Sequence, residues 1–209
     1  DGFNTFLRYK LPNHNNQYMP TLPDPVIVIP GITATYLRDD YLLPPDYPWT
    51  VLNKNYERIS LHPDNLRFES IQPARIQSGQ IYEVAYRELI EELRHNLSSK
   101  VDEPVPVFPF GYDWRQPLDL IEQDLELFID EVINRTKLLR HYDKSGYSDA
   151  PKVNLVAHYM GGLIVAGCIE RMAKNSNIKN KIGRVVTLAS PFRGSFEAVV
   201  KITTGTANI

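Results

Sequence analysis

The chain reads as an α/β protein: a central, mostly parallel β-sheet flanked by helices. Two observations predict this. Short, continuous apolar runs rich in β-branched residues recur along the chain, as strands buried on both faces require. Between them lie longer segments whose apolar residues repeat at helical spacing, and strands alternating with helices imply a parallel sheet. Fourteen of the 16 prolines lie before position 118, so the first half should be rich in loops and extended pieces and the second can carry uninterrupted elements.

In chain order, Val26-Ile27-Val28-Ile29 is the first strand, bracketed by Pro25 and by Pro30-Gly31. Residues 34–79 fit neither period, being full of Pro, Asp, Asn and Tyr, and are expected to make an irregular excursion over the upper edge of the sheet, a length of loop that usually signals function. Tyr82, Tyr86, Leu89, Leu93 and Leu97 share one helical face, and Leu118, Ile121, Leu125, Phe128 and Val132 share another. Further strands are expected at Val105 to Phe108, Val153 to Val156 and Val185 to Ala189. The chain stops about one helix later, so Ile209 reads as a premature end. The 209 residues then form a single domain truncated at its C-terminus and lacking its last strands. The strand near 184 to 189 would be an apolar open edge, through which the chain could self-associate.

A length of 209 residues with 43% hydrophobic content suits one sizeable core. A formal net charge of -2 gives no basic excess for nucleic acid, and no apolar stretch is long enough to span a membrane. The one cysteine, Cys168, lies in an apolar helical run and reads as packing. Two N-x-S/T triplets, at Asn96 and Asn134, are short enough to arise by chance. Localisation is left open, the cytoplasm first. No ligand cluster for a metal is visible, and no organic cofactor is implied.

The chemistry-bearing segment is Lys152 to Val165: an apolar strand, the turn Ala157-His158-Tyr159-Met160-Gly161, then an apolar helix. That is the layout of a nucleophile elbow, in which small residues two places either side of the apex keep a very sharp turn free of collisions. Ala157 and Gly161 meet the requirement. The apex, where a serine is expected, is Tyr159. A phenol has a reference pKa of about 10 and carries its oxygen several ångströms further from the backbone, so it is a poor substitute. His158, adjacent to the apex, points away from it and reads as structural.

Three further segments accompany the elbow. Pro25 to Thr33 runs a strand into a Pro-Gly turn whose N–H groups could face a developing oxyanion. Val107 to Arg115 contains Phe110-Gly111-Tyr112-Asp113-Trp114-Arg115, and Val185 to Ser195 contains Ala189-Ser190-Pro191-Phe192-Arg193-Gly194-Ser195. Asp113 and Arg115 read as a charge pair fixing their loop, and Trp114 as a packing anchor that could also line an acyl groove.

In this order the four segments resemble the lecithin:cholesterol acyltransferase family of α/β-hydrolases, which also includes phospholipid:diacylglycerol acyltransferases and lysosomal phospholipase. The resemblance implies an α/β-hydrolase fold, a lipid or acyl-ester substrate and acyl-serine chemistry. It places the oxyanion-hole N–H donors on Ile32 and Met160, and the nucleophile at Tyr159. After Tyr159 the sequence has no histidine and no aspartate, only Glu170 and Glu197 as carboxylates, so the triad order of nucleophile, acid and histidine is not completed. The expectation is a weakly active or inactive member of a lipid ester hydrolase or O-acyltransferase family. The alternative is a non-catalytic pseudo-hydrolase module that binds lipid or acyl chains.

Overall fold

Every side chain of Val26–Ile29 (β1) is buried, which only a strand covered on both faces achieves. The computed structural model describes residues 22–174 and 181–204. It places β1 inside a four-stranded, all-parallel sheet with Val107–Pro109 (β7), Val153–His158 (β8) and Ile182–Leu188 (β9), in the order β7-β1-β8-β9. Successive side chains of a strand point to opposite faces, and β1 divides two cores accordingly. Val26 and Val28 pack with Tyr86 and Leu93 of helix Glu83–Leu97 (α1). Ile27 and Ile29 pack on the other side with Ile121, Leu125 and Ile129 of helix Leu118–Lys137 (α2) and with Ile164, Val165 and Cys168 of helix Met160–Lys174 (α4). A short helix, Arg140–Lys144 (α3), leads into β8, and Phe196–Thr204 (α5) follows β9.

Three strand limits differ from expectation. The strand expected at Val153 to Val156 runs on to His158, because Ala157 and His158 still pair with Thr187 and Leu188 of β9. The strand expected at Val105 to Phe108 is Val107–Pro109, because Pro106 has no N–H to give a neighbour; its carbonyl instead receives Val26 N–H at 3.0 Å. The last strand starts at Ile182 and stops before Ala189, whose φ of 50° ends the extended run.

The segment 34–79 is not irregular. It carries strands Thr35–Asp39 (β2), Asp46–Trp49 (β3), Leu61–His62 (β4), Asn65–Glu69 (β5) and the greater part of Ile76–Ile81 (β6). They form an antiparallel sheet in the order β3-β2-β6 and the hairpin β4-β5. A small core of Leu37, Trp49, Ile59 and Ile76 holds this cap together. Alternation fails in the sequence because an inward position of β2 is Asp39, only 1% exposed. Burial alone would raise the Asp39 carboxyl. The N–H groups of Arg75 and Tyr41 and the Arg58 guanidinium outweigh it and hold the group below its ordinary value. In β5 only Glu69 is buried, and the apolar pair Leu66 and Phe68 faces outward, so its pattern points away from the core.

Among the described residues β9 pairs on one side alone, with β8, and Val185 is left 39% exposed. The end at Ile209 lies outside the described residues. No helix among the described residues is long and apolar enough to cross a membrane.

Candidate functional site

Strand order fixes where a ligand can enter. After β1 the chain crosses to β7 on one side, then returns past β1 to lay β8 on the other. The loops leaving the C-terminal ends of β1 and β8 therefore diverge at a topological switch point, the position at which open α/β sheets offer a crevice to their ligands. Three non-glycine residues with left-handed backbone follow the adjacent strands β1, β8 and β9: Thr33 at φ 65°, Tyr159 at 51° and Ala189 at 50°. Each such residue costs about 1–2 kcal/mol, and strain of this kind collects at functional sites.

At the end of β8 a single residue, Tyr159, separates strand from helix α4. Its N–H is given to Leu188 O at 2.9 Å and its carbonyl receives Gly162 N–H at 3.1 Å. The sharpness of the turn forces α4 against β1. A Cβ at Gly161 would stand 2.6 Å from Ile29 O and 2.7 Å from Pro30 O, and one at Gly162 would stand 2.0 Å from Ser190 Oγ. Ala157 is fully buried. Met160 opens α4, so its N–H has no acceptor within the helix and lies at the positive end of the helix dipole.

Across the crevice, the turn after β1 is gripped by three aromatic side chains. Gly31 donates its N–H to Tyr86 Oη at 2.9 Å. The Tyr112 hydroxyl donates to Pro30 O at 2.9 Å, and the Trp49 indole N–H donates to Thr33 O at 3.0 Å. Burial raises the Tyr86 and Tyr112 phenols above their ordinary value, so both stay protonated. The Ile32 N–H is left with no acceptor among the described residues. The two sides nearly touch: a Cβ on Gly31 would lie 3.2 Å from Tyr159 Cβ and 3.6 Å from its ring. Tyr159 thus lies against the turn.

His158 is engaged by Tyr86. Its Nδ1 is 2.9 Å from the Tyr86 hydroxyl, and burial lowers its pKa. Because that phenol oxygen already accepts from Gly31, the arrangement satisfying all three groups has Tyr86 donating to Nδ1 of a neutral imidazole, with the ring proton on Nε2.

Asp113, Trp114 and Arg115 stand apart from this crevice contact, at the junction of cap and sheet. Arg115 is forked onto Asp113, Nε to Oδ1 at 2.8 Å and an Nη to Oδ2 at 2.7 Å, and also reaches Glu69 Oε1 at 3.2 Å and Ile59 O at 2.9 Å. Its side chain is 5% exposed. Trp114 packs on Trp49, ring centroids 4.8 Å apart, and joins the cap core to the core beneath the sheet; its indole N–H is buried without a partner.

The crevice therefore gathers Ile32, His158, Tyr159, Met160 and Gly161, while Asp113, Trp114 and Arg115 join the cap to the domain. Among the described residues no cluster of three or more His, Cys, Asp or Glu side chains is placed to hold a metal. Sequence reasoning missed the grip of Trp49, Tyr86 and Tyr112 on the first turn. The available signal was a tyrosine on an otherwise apolar helix face, since a buried phenol needs a hydrogen-bond partner.

The family model of lecithin:cholesterol acyltransferase matches residues 66–208, about two thirds of the chain and including the elbow; the turn after β1 precedes the matched residues. No curated protein gives a significant match.

Proposed function

Because the chain belongs to the lecithin:cholesterol acyltransferase family, we propose that its crevice descends from the acyl-transfer centre of a lipid ester hydrolase or O-acyltransferase, with Tyr159 at the nucleophile position and little or no turnover by this chain. The observation that carries the reading is the strained backbone of Tyr159, φ 51°, at a one-residue strand-to-helix turn. In such a site the apex hydroxyl attacks the acyl carbonyl, and the oxygen that gains charge is received by two backbone N–H groups. The unengaged N–H groups of Ile32 and Met160 suit that role, being donors whatever their side chains. A phenol at the apex carries its oxygen past the point they serve.

Membership of this family supports a lipid or acyl-ester substrate. The contact of Tyr159 with the Gly31 turn favours a second reading, a non-catalytic module in which the ring fills the space of the reacting centre and the cleft retains acyl chains. Trp114 then keeps the cap seated on the domain, and the edge of β9 left unpaired among the described residues is a surface for self-association.

The test is hydrolysis of a short-chain p-nitrophenyl ester by the purified chain and by Tyr159→Ser, against a buffer blank. The expected result is no turnover by the tyrosine form. Release of p-nitrophenol above the blank by that form would overturn the account of the apex.

A further inference from the structure

The crevice holds one side chain that touches both of its walls. Tyr86, on α1, accepts the Gly31 N–H from the turn after β1 and shares a hydrogen bond with His158 Nδ1 at the end of β8, each at 2.9 Å. We propose that Tyr86 is the positioning residue of the crevice: its one phenol oxygen ties the first turn to the elbow and so sets the placement of the Ile32 N–H opposite the Met160 N–H. The assignment rests on the proposal that these two N–H groups form the oxyanion site.

Tyr112 holds the carbonyl of Pro30 and Trp49 the carbonyl of Thr33. Both act on oxygens. Because the Pro30 carbonyl and the Gly31 N–H belong to one planar peptide unit, Tyr112 and Tyr86 hold opposite edges of the same plane, but among the described residues neither Tyr112 nor Trp49 hydrogen-bonds to the elbow. The next peptide unit, which carries the Ile32 N–H, is held at its Gly31 oxygen by the Ala34 N–H at 3.4 Å, so Tyr86 adds to the turn's own bonding the tie to His158. The ring is 5% exposed and packed in the core above the sheet, so its hydroxyl has little freedom to seek other partners. A phenol has one proton to give. With Gly31 N–H received, that proton goes to His158 Nδ1.

The link makes the turn responsive to the charge of His158. When the imidazole is neutral, Tyr86 accepts from one side and donates to the other. When Nδ1 is protonated, both neighbours are donors, and the phenol must accept from both while its own O–H turns to no acceptor. The Gly31 bond weakens as His158 charges. The titratable groups in contact with the imidazole are the Tyr86 phenol from α1 and the Tyr159 phenol, ring centroids 5.9 and 6.3 Å away. Burial raises the Tyr86 phenol above its ordinary value, so it stays neutral across the histidine range.

The experiment needs no ester. Backbone amide and imidazole NMR signals of the unsubstituted chain are followed across the histidine range, about pH 8 down to about pH 5, and again in Tyr86→Phe, which removes a single oxygen and leaves the ring in the core. The expected result is that Gly31 and Ile32 amides shift with the midpoint of His158 in the unsubstituted chain. In Tyr86→Phe that dependence is lost, and the His158 midpoint moves upward because its neutral form has lost a donor. Gly31 and Ile32 amides that stay flat through the His158 titration of the unsubstituted chain would overturn the proposal without any variant. So would amides that still follow it in Tyr86→Phe. A merely structural tyrosine would change stability and leave the midpoint alone. Silence in the ester assay leaves this test intact, and failure here leaves the elbow assay unaffected.

Discussion

Gly161→Ala measures how tightly α4 is pressed onto β1. The added Cβ would lie 2.6 Å from Ile29 O and 2.7 Å from Pro30 O, where a comfortable carbon-to-oxygen approach is about 3.3 Å. Both obstacles are backbone atoms, one at the end of the central strand and one in the turn, so neither can swing aside as a side chain would. Overpacking of this kind costs about 1–3 kcal/mol. Replacing glycine in a helix returns at most about 1 kcal/mol, and less at the second residue of α4. The net loss is about 1–2 kcal/mol. With a urea m-value of about 2 kcal/mol/M, the midpoint of unfolding falls by about 0.5–1 M. Gly79→Ala is the control: its Cβ would meet nothing closer than 3.4 Å, and its midpoint should move by the equivalent of under about 0.5 kcal/mol. A Gly161→Ala midpoint equal to or above that of the unsubstituted chain would refute the tight crossing.

Three further outcomes are expected. Arg115→Met strands the Asp113 and Glu69 carboxylates, 16% and 6% exposed, with no cation between them. The cost should approach the roughly 3–5 kcal/mol of a broken buried pair, with faster proteolysis between residues 34 and 79 as its signature; unchanged cleavage there would mean the clamp does not hold the cap. Burial, reinforced by Glu126 and Glu122, pushes the Cys168 thiol up to about 12, so iodoacetamide at about pH 8 should leave it unmodified until urea unfolds the chain, and labelling of the folded protein would contradict that placement. The open edge of β9 predicts earlier elution from a sizing column as concentration rises, whereas a constant monomeric volume would show that the edge is protected.

What the sequence discloses and what it conceals divide along a physical line. Val26–Ile29 is legible as a strand because burial on both faces leaves a continuous β-branched run, and Val153 to Val156 because three of its four residues are apolar and buried. α2 is legible because one side of it alone meets the sheet. The elbow is legible because a turn of one residue demands small neighbours at fixed spacing, which Ala157 and Gly161 provide. The cap strands are not, since their inward positions include Asp39 and Glu69, satisfied by Arg58 and Arg115 from elsewhere in the chain. The grip on the first turn is hidden for the same reason. Trp49, Tyr86 and Tyr112 act through single hydrogen bonds to Thr33, Gly31 and Pro30, and no local pattern records a partner so distant.

That distance also orders assembly in time. β1 leaves the ribosome well before its register partners, Val107 to Pro109 on one side and Asn154 to Ala157 on the other. Until β8 has been synthesised, four of the most water-averse residues in the chain have no complete shelter, and contacts of such long range form slowly. The nascent chain must therefore hold a finished cap sequence and a waiting central strand until β8 emerges. A chaperone that binds short β-branched stretches would find its best target at Val26–Ile29, and substitutions that delay β8 should lower soluble yield more than equilibrium stability alone would predict.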